Sequence, residues 1–501
     1  MKSSPSLPRL ILSLSVALLA ITVAAGGQAT AAESPNIGPD RITHEQILSG
    51  DLSVDEIRRA GLLAFTTPFN KLDGYGDGPI DPADTISPGG RPTLDGNGTF
   101  LRVNGLDAQT CLECHSIISN ATIPATLGIG GVGGSNSNAI IQPTFIDPAD
   151  LEDLDGAAGF DGRFANPPFI FGAGGVELLA LEMTEDLQAL KRQALANPGV
   201  RIALRTKGVD FGTIVSDSQG RLDTSGLAGV ATDLVVRPFG RKGEFATTRD
   251  FDMGAMQFHF GMQPVEVVGE GIDADGDGVM NEILVGELSA LQVFVLTSPR
   301  PRSEVRSLSA LRGADAFDRI GCANCHRQSL DTRNSELPLR FPADPVAPHV
   351  NVYTTVDLTH RRTGFDRNRH GGVNVPLFSD LKRYDMGDAL AESFSLVDAK
   401  TNREYITARL WGIADTAPYL HDGRATTLGE AILLHGGEGK AARDGYAGLD
   451  DDARTDVLAY LQSLRVPSDP FEDLLRDLQG GQRAGRGHRH RDRRDDHHGA
   501  R

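Results

Sequence analysis

Cys322-Ala323-Asn324-Cys325-His326 is the segment on which the reading of this chain turns, and Cys111-Leu112-Glu113-Cys114-His115 repeats it. Both read C-x-x-C-H, the attachment signature of c-type haem. Two thiols two residues apart add to the two vinyl groups of one haem, and the histidine that follows falls beneath the ring and ligates the iron. A redox-active dithiol would use such cysteine pairs without requiring a histidine after each. A zinc site would need four ligands gathered from distant parts of the chain. The two motifs take up all four cysteines. The pattern therefore implies two covalently attached haem c groups, with Cys111, Cys114, Cys322 and Cys325 as anchors and His115 and His326 as iron ligands.

The surrounding chain suits that chemistry. Its 501 residues are 40% hydrophobic and 23% charged, a globular composition. A net charge of −18 argues against a nucleic-acid partner. Lys2 and Arg9 precede an apolar run, Leu10 to Ala25, and Ala29-Thr30-Ala31 is a small-x-small cleavage site. Residues 1–31 thus read as a signal peptide and predict a periplasmic or otherwise exported protein, an uncleaved anchor being the other reading. Losing Lys2 and Arg9 takes the net charge from −18 to −20. No later apolar run reaches ~18 residues, so no membrane span is expected in the mature chain.

The expected fold is mainly α: two cytochrome c-type haem domains with a small β-containing insert and long loops. The first domain is placed at 32–285, with an α/β insert at about 140–250, and the second at 286–475. Residues 476–501, rich in Arg and His, read as a disordered basic tail. Helical spacing occurs at Asn36 to Arg59, Val176 to Leu195, Glu287 to Leu296, Arg306 to Ile320, Leu428 to Leu434 and Asp452 to Leu464. Short apolar segments between Val200 and Val236 predict strands. Thr67 to Gly98 and Ile129 to Asn138 read as loops.

Leu410-Trp411-Gly412-Ile413-Ala414-Asp415-Thr416-Ala417-Pro418-Tyr419-Leu420-His421-Asp422-Gly423-Arg424, then Thr427-Leu428-Gly429-Glu430-Ala431, resembles bacterial di-haem cytochrome c peroxidases, and in particular their di-haem oxidoreductase, "putative peroxidase" branch. Asp385-Met386-Gly387 is similar to a segment of the same branch. The resemblance runs from about Thr110 to Leu464 and is strongest from Gly321 to Glu438. Gly313 and Phe317, on the helix before Cys322, resemble the first helix of cytochrome c domains. The first motif lacks a matching upstream helix, because Gly98 and Gly105 interrupt that region.

The resemblance carries implications for particular residues. The family's axial ligand follows the Pro-Tyr-x-His-Asp-Gly histidine by fourteen residues, which here gives His435, with Met386 as the alternative; a helix-terminal histidine meeting the dipole is the other reading of His435. His421 would bond a haem propionate or backbone rather than iron. Gln263-Pro264-Val265-Glu266 resembles a segment whose glutamate lies over the peroxide-binding haem. Glu266 would take a proton from one peroxide oxygen and return it to the leaving one, as general acid–base catalyst. Gln257 falls near a family glutamine of that pocket, and His259 would cap the iron, hydrogen-bond peroxide or pack structurally. The chain departs from the peroxidases in the long interval between His115 and Glu266, and no histidine lies between His115 and His259.

Asp273, Asp275 and Asp277, followed by Gly278, resemble the start of a calcium loop, with Glu282 in place of the usual twelfth-position acid, Leu284 standing there instead. An acidic turn without an ion is the other reading. The resulting expectation is a peroxidase that reduces hydrogen peroxide at the first haem, with electrons relayed through the second from a small donor protein of cytochrome c or cupredoxin type. Two other functions compete with it: a non-catalytic electron-transfer or redox-sensing cytochrome, and oxidation of an organic or protein substrate.

Overall fold

A computed structural model describes residues 33–78, 89–90, 106, 108–117, 140–146, 160–347, 349–392, 399–468 and 470–474. The signal segment, the Gly-rich stretch from Ile129 to Asn138 and the tail from 476 lie outside the described residues. The described residues from Pro35 onward form one compact unit.

Two helix pairs frame that unit. In the first, α1 (His44–Leu48) and α2 (Val54–Thr66) each begin with a capping box, Thr43 with Gln46 and Ser53 with Glu56. α2 packs across a later helix, Val285–Leu296, whose residues from Gly286 to Leu296 are buried on every face. The contact point is Gly61, where a β-carbon would overlap the Ala290 carbonyl. One turn on, the Phe65 and Phe294 rings lie 5.4 Å apart. The second pair repeats this arrangement. Leu308–Arg319 crosses Asp451–Leu461, a β-carbon on Gly313 would overlap the Asp456 carbonyl, and Phe317 meets Tyr460 edge-on at 5.6 Å. The second pair agrees with the expectation drawn from Gly313 and Phe317. The first overturns the expectation that Cys111 has no matching helix. Its helix is α2, separated from the motif by the long segment after Thr66.

Between these pairs run α3 (Ala173–Ala196), α4 (Thr248–Phe260) and the short α5 (Val265–Val268). The pattern of α3 predicts a single apolar face, but everything from Ala173 to Thr184 is buried, Glu177 and Glu182 included. Glu177 accepts hydrogen bonds from the Thr248 amide (2.8 Å) and hydroxyl (3.0 Å) at the start of α4. Glu182 pairs with Lys207 at 2.6 Å and accepts from the amides of Arg333 and Asn334. A buried carboxylate is tolerated because partners occupy its lone pairs.

The expected β insert is present as a three-stranded antiparallel sheet, Ile202–Thr206, Val209–Ser216 and Leu222–Asp223, in which Ile202 pairs with Ile214. A hairpin, Glu336–Arg340 with Val352–Asp357, and a small sheet built on Leu330–Asp331 follow the second motif. The sequence reading did not anticipate them. No helix among the described residues is long and apolar enough to cross a membrane.

Candidate haem site

Each C-x-x-C-H motif forms one turn of 3₁₀ helix, at Cys111–Glu113 and Cys322–Asn324. The histidine amide bonds back to the first cysteine's carbonyl in both, at 2.9 Å for His115 and 3.0 Å for His326. The first turn is fastened to α2 by Thr110, whose hydroxyl donates to the Phe65 carbonyl at 2.9 Å. The second follows its helix directly through Gly321, which takes a left-handed φ of 91°.

The histidines are held with one nitrogen committed. His115 Nδ1 donates to the Pro168 carbonyl at 2.7 Å. His326 Nδ1 lies 3.2 Å from the Phe378 carbonyl and 3.1 Å from that of Ala408. His435 Nδ1 donates to the Ala431 carbonyl at 2.8 Å, one turn earlier in its own segment. A proton fixed on Nδ1 leaves the Nε2 lone pair for a metal. Burial pushes His115 and His326 down to about 4 and lowers His435, so all three imidazoles are neutral at pH 7. The thiols go the other way. Burial raises Cys111 and takes Cys322 up to about 11. A redox-active dithiol needs a lowered thiol pKa, so these pairs do not have that character.

One continuous cavity of about 920 Å³ runs past both motifs, with His115, His259, His326 and His435 all in its wall. His326 and His435 face each other with ring centres 6.4 Å apart. An imidazole nitrogen binds a first-row metal at ~2 Å and stands about 1 Å from its ring centre, so two rings on opposite sides of one metal are ~6 Å apart. The donor set and spacing fit a haem iron between them. Met386 also lines the cavity, near His435 at Gly439. His115 instead meets the Phe251 ring, edge-on at 6.3 Å.

Helix α4 supplies the wall on that side. Thr248, Phe251, Asp252, Ala255, Phe258 and His259 line the cavity at the spacing of one helical face, and Gly254, Met256 and Phe260 join them toward the helix's C-terminal end. Asp252 was not singled out in the sequence. Its separation of seven residues from His259 was the available signal. Burial holds its carboxyl well above the usual range, and its Oδ2 has no hydrogen-bond partner. Gln257 is buried and Glu266 is half-buried with its side chain 7% exposed, and neither is part of the cavity wall. Glu266 pairs with the fully buried Arg249 at 3.1 Å through Oε2, while its Oε1 has no partner. Burial raises its pKa against the pull of Arg249. His421 also lines the cavity, with its Nε2 3.2 Å from the Tyr405 hydroxyl.

Away from the cavity, carboxylate oxygens of Asp273, Asp275 and Asp277 lie within 4.8 Å of one another. The Asp273 carboxylate accepts from the amides of Gly276 (2.8 Å) and Gly278 (3.1 Å). Asp275 is 8% exposed and its Oδ2 has no partner. Glu282, buried beside the triad, accepts from the Gln263 amide at 2.7 Å; burial first, then the three aspartates, push it up to about 9.

Residues 367–464 match the family "Di-haem oxidoreductase, putative peroxidase". The matched stretch holds Met386, His421 and His435. No curated protein matches the chain. Among solved structures it is similar to a hydrazine synthase of Kuenenia stuttgartiensis, pressurised with 20 bar xenon, at 18% identity and a TM-score of 0.24 over 43% of this chain and 60% of that one. It is also similar to a MauG-like protein associated with microbial copper homeostasis, at 15% identity and a TM-score of 0.25 over 58% and 89% of the two chains. The chain thus spans less than two thirds of the hydrazine synthase chain.

Proposed function

We propose that this chain is an exported di-haem c-type peroxidase that reduces hydrogen peroxide on the His115 side of its cavity, with electrons relayed from the His326 side. The observation that supports this is the inequality of the two sides. His326 faces a second imidazole, whereas the wall beside His115 carries Phe251 and the carboxyl of Asp252. Bound haem supplies the iron and the electrons with which peroxide, two protons and two electrons become two waters.

The chain's own part is proton handling and exclusion of water. Burial, with Glu177 close by, raises the Asp252 carboxyl well above its ordinary range and so favours its protonated form at the cavity. Glu266 lies close enough to raise the pKa of Asp252, and Arg249 anchors it from behind. Asp252 would meet the substrate, while the Glu266 charge helps keep the Asp252 proton in place. The acid–base role expected of Glu266 is therefore shared, and Glu266 acts through Asp252. His259, on the same face of α4, can donate to peroxide.

The test is peroxide turnover by the purified holoprotein alongside its ferric spectrum. We expect one high-spin and one low-spin haem. Asp252→Asn should lower turnover at least tenfold with two haems retained, and Glu266→Gln by a smaller factor. Two low-spin haems that persist on partial reduction, with no turnover, would instead make this an electron-transfer cytochrome. Proximity of His259 to His115, which lowers the His115 pKa, favours that second reading. His259→Gly converting an inert low-spin haem to high spin would establish it.

Two further parts of the proposal have tests of their own. Residues 1–31 direct export, so the mature N-terminus should fall near Ala32, and the acidic mature surface should favour a basic donor, with rates falling as salt rises. The Asp273 loop with Glu282 holds calcium, using the unpartnered Asp275 oxygen. Chelation should lower the melting temperature, and Asp275→Asn should abolish that difference.

A further inference from the structure

Three arginines reach the cavity wall: Arg241, Arg409 and Arg443. Arg241 is paired with Glu392 at 2.7 Å and Arg443 with Asp444 at 2.7 Å. Arg409 differs from both. It has no carboxylate within ion-pair distance among the described residues, and its hydrogen bond is from Nη1 to the Pro238 carbonyl at 3.0 Å. Burial alone pulls its guanidinium down to about 10, with no neighbouring charge acting on it. It remains a cation at neutral pH.

A half-buried guanidinium bordering a mostly apolar chamber, with no carboxylate beside it among the described residues, is favoured by an anion that meets it. A guanidinium offers five N–H donors in a planar fork that matches a carboxylate, and one carbonyl does not use that capacity. The position of Arg409 shows where the anion belongs. The carbonyl of the preceding residue, Ala408, is one of the two that face His326 Nδ1. The guanidinium is therefore one residue from the support of the second motif's histidine.

We propose that Arg409 binds a carboxylate of the cavity's occupant, a propionate of the haem attached at Cys322 and Cys325, and that its charge raises that haem's reduction potential. This rests on the di-haem reading. The physical basis is simple: a fixed positive charge disfavours the oxidised, more positive iron. Arg409 is a positioning and tuning residue, not a catalytic one. Lysine would keep the charge but lose the fork.

The experiment uses full-length holoprotein with Arg409→Gln and Arg409→Lys, reading haem per chain and the two midpoint potentials by spectroelectrochemistry. We expect Arg409→Gln to retain two haems and to shift the His326 haem to lower potential, with a smaller shift for the His115 haem. Arg409→Lys should fall between wild type and Arg409→Gln. Unchanged potentials in Arg409→Gln, with both haems retained, would overturn the proposal. So would a wild-type potential that depends on added acetate while Arg409→Gln is insensitive, because the carboxylate would then come from solution. If Arg409→Gln fails to load haem, Arg409→Lys decides. Haem carrying ¹³C-labelled propionates should show a displaced carboxylate band in the redox-difference infrared spectrum, and an unmoved band refutes the contact. A wild-type protein without covalent haem would sink the di-haem reading itself, a result distinct from either of these.

Discussion

In the C-terminal half, the helix Leu308–Arg319 runs through Gly321 straight into Cys322; in the N-terminal half the corresponding helix stops at Thr66 and its motif begins at Cys111. The packing is nonetheless the same. A glycine lets each helix lie against a partner's carbonyl, and four residues later an aromatic pair closes the crossing. The comparison separates two requirements that usually coincide. The motif must dock on the helix pair, but it need not follow it in sequence. In the first half the Thr110 hydroxyl on the Phe65 carbonyl makes the join that Gly321 makes in the second.

The halves differ where chemistry would occur, and the predictions test how far that difference goes. The largest effect should come from the cysteines. Replacing both Cys322 and Cys325 by Ala, or both Cys111 and Cys114, should reduce covalent haem from two per chain to one on a haem-stained gel; only the Cys111/Cys114 variant should keep a bis-histidine spectrum. Next, His435→Gly should convert the second haem from low to high spin, whereas Met386→Leu should leave its spin state unchanged. If Met386→Leu makes that change instead, the ligand assignment is reversed.

Smaller effects follow from the helix crossings. Gly61→Ala and Gly313→Ala each press a methyl group into a backbone carbonyl, and each should destabilise by about 1–3 kcal/mol. Similar losses in thermal unfolding would confirm that the crossings are equivalent, and a loss at one site alone would break the parallel. The smallest effect concerns Glu177, which burial raises from 4.5 to about 7. A carboxyl whose folded pKa is raised binds its proton more tightly when folded. Its stabilising effect is therefore full below about pH 4.5 and is lost as pH rises to about 7. Glu177→Gln should flatten the melting temperature across that window.

Much of this was legible in the sequence because it is written in short-range patterns. The two C-x-x-C-H motifs, the helices at Leu308–Arg319 and Asp451–Leu461, and the strands after Val200 all depend on neighbours within a few residues. The pairing of Gly61 with Ala290 depends on residues far apart in the chain, and the loop after Thr66 concealed it. The burial of Glu177 and Glu182 was illegible for a related reason: their partners, Thr248, Lys207 and Arg333, come from other elements. In the site, His435 was reachable by its offset from His421. Asp252 required knowing which face of Thr248–Phe260 looks inward, and the isolation of Arg409 required knowing that no acid among the described residues folds against it.

The wall of the central cavity is assembled from residues as far apart as Phe65 and Leu461, and all four cysteines are reached from inside it. Thioether formation needs an enzyme or a reactant to approach those sulfurs, and in the folded chain all four cysteines are only partly exposed, which restricts that approach. On the haem c reading, modification therefore comes before closure: the chain takes its porphyrins while still open, and the halves then fold around them. Cofactor loading would then set the order of biogenesis, and a chain that folded early would be loaded more slowly.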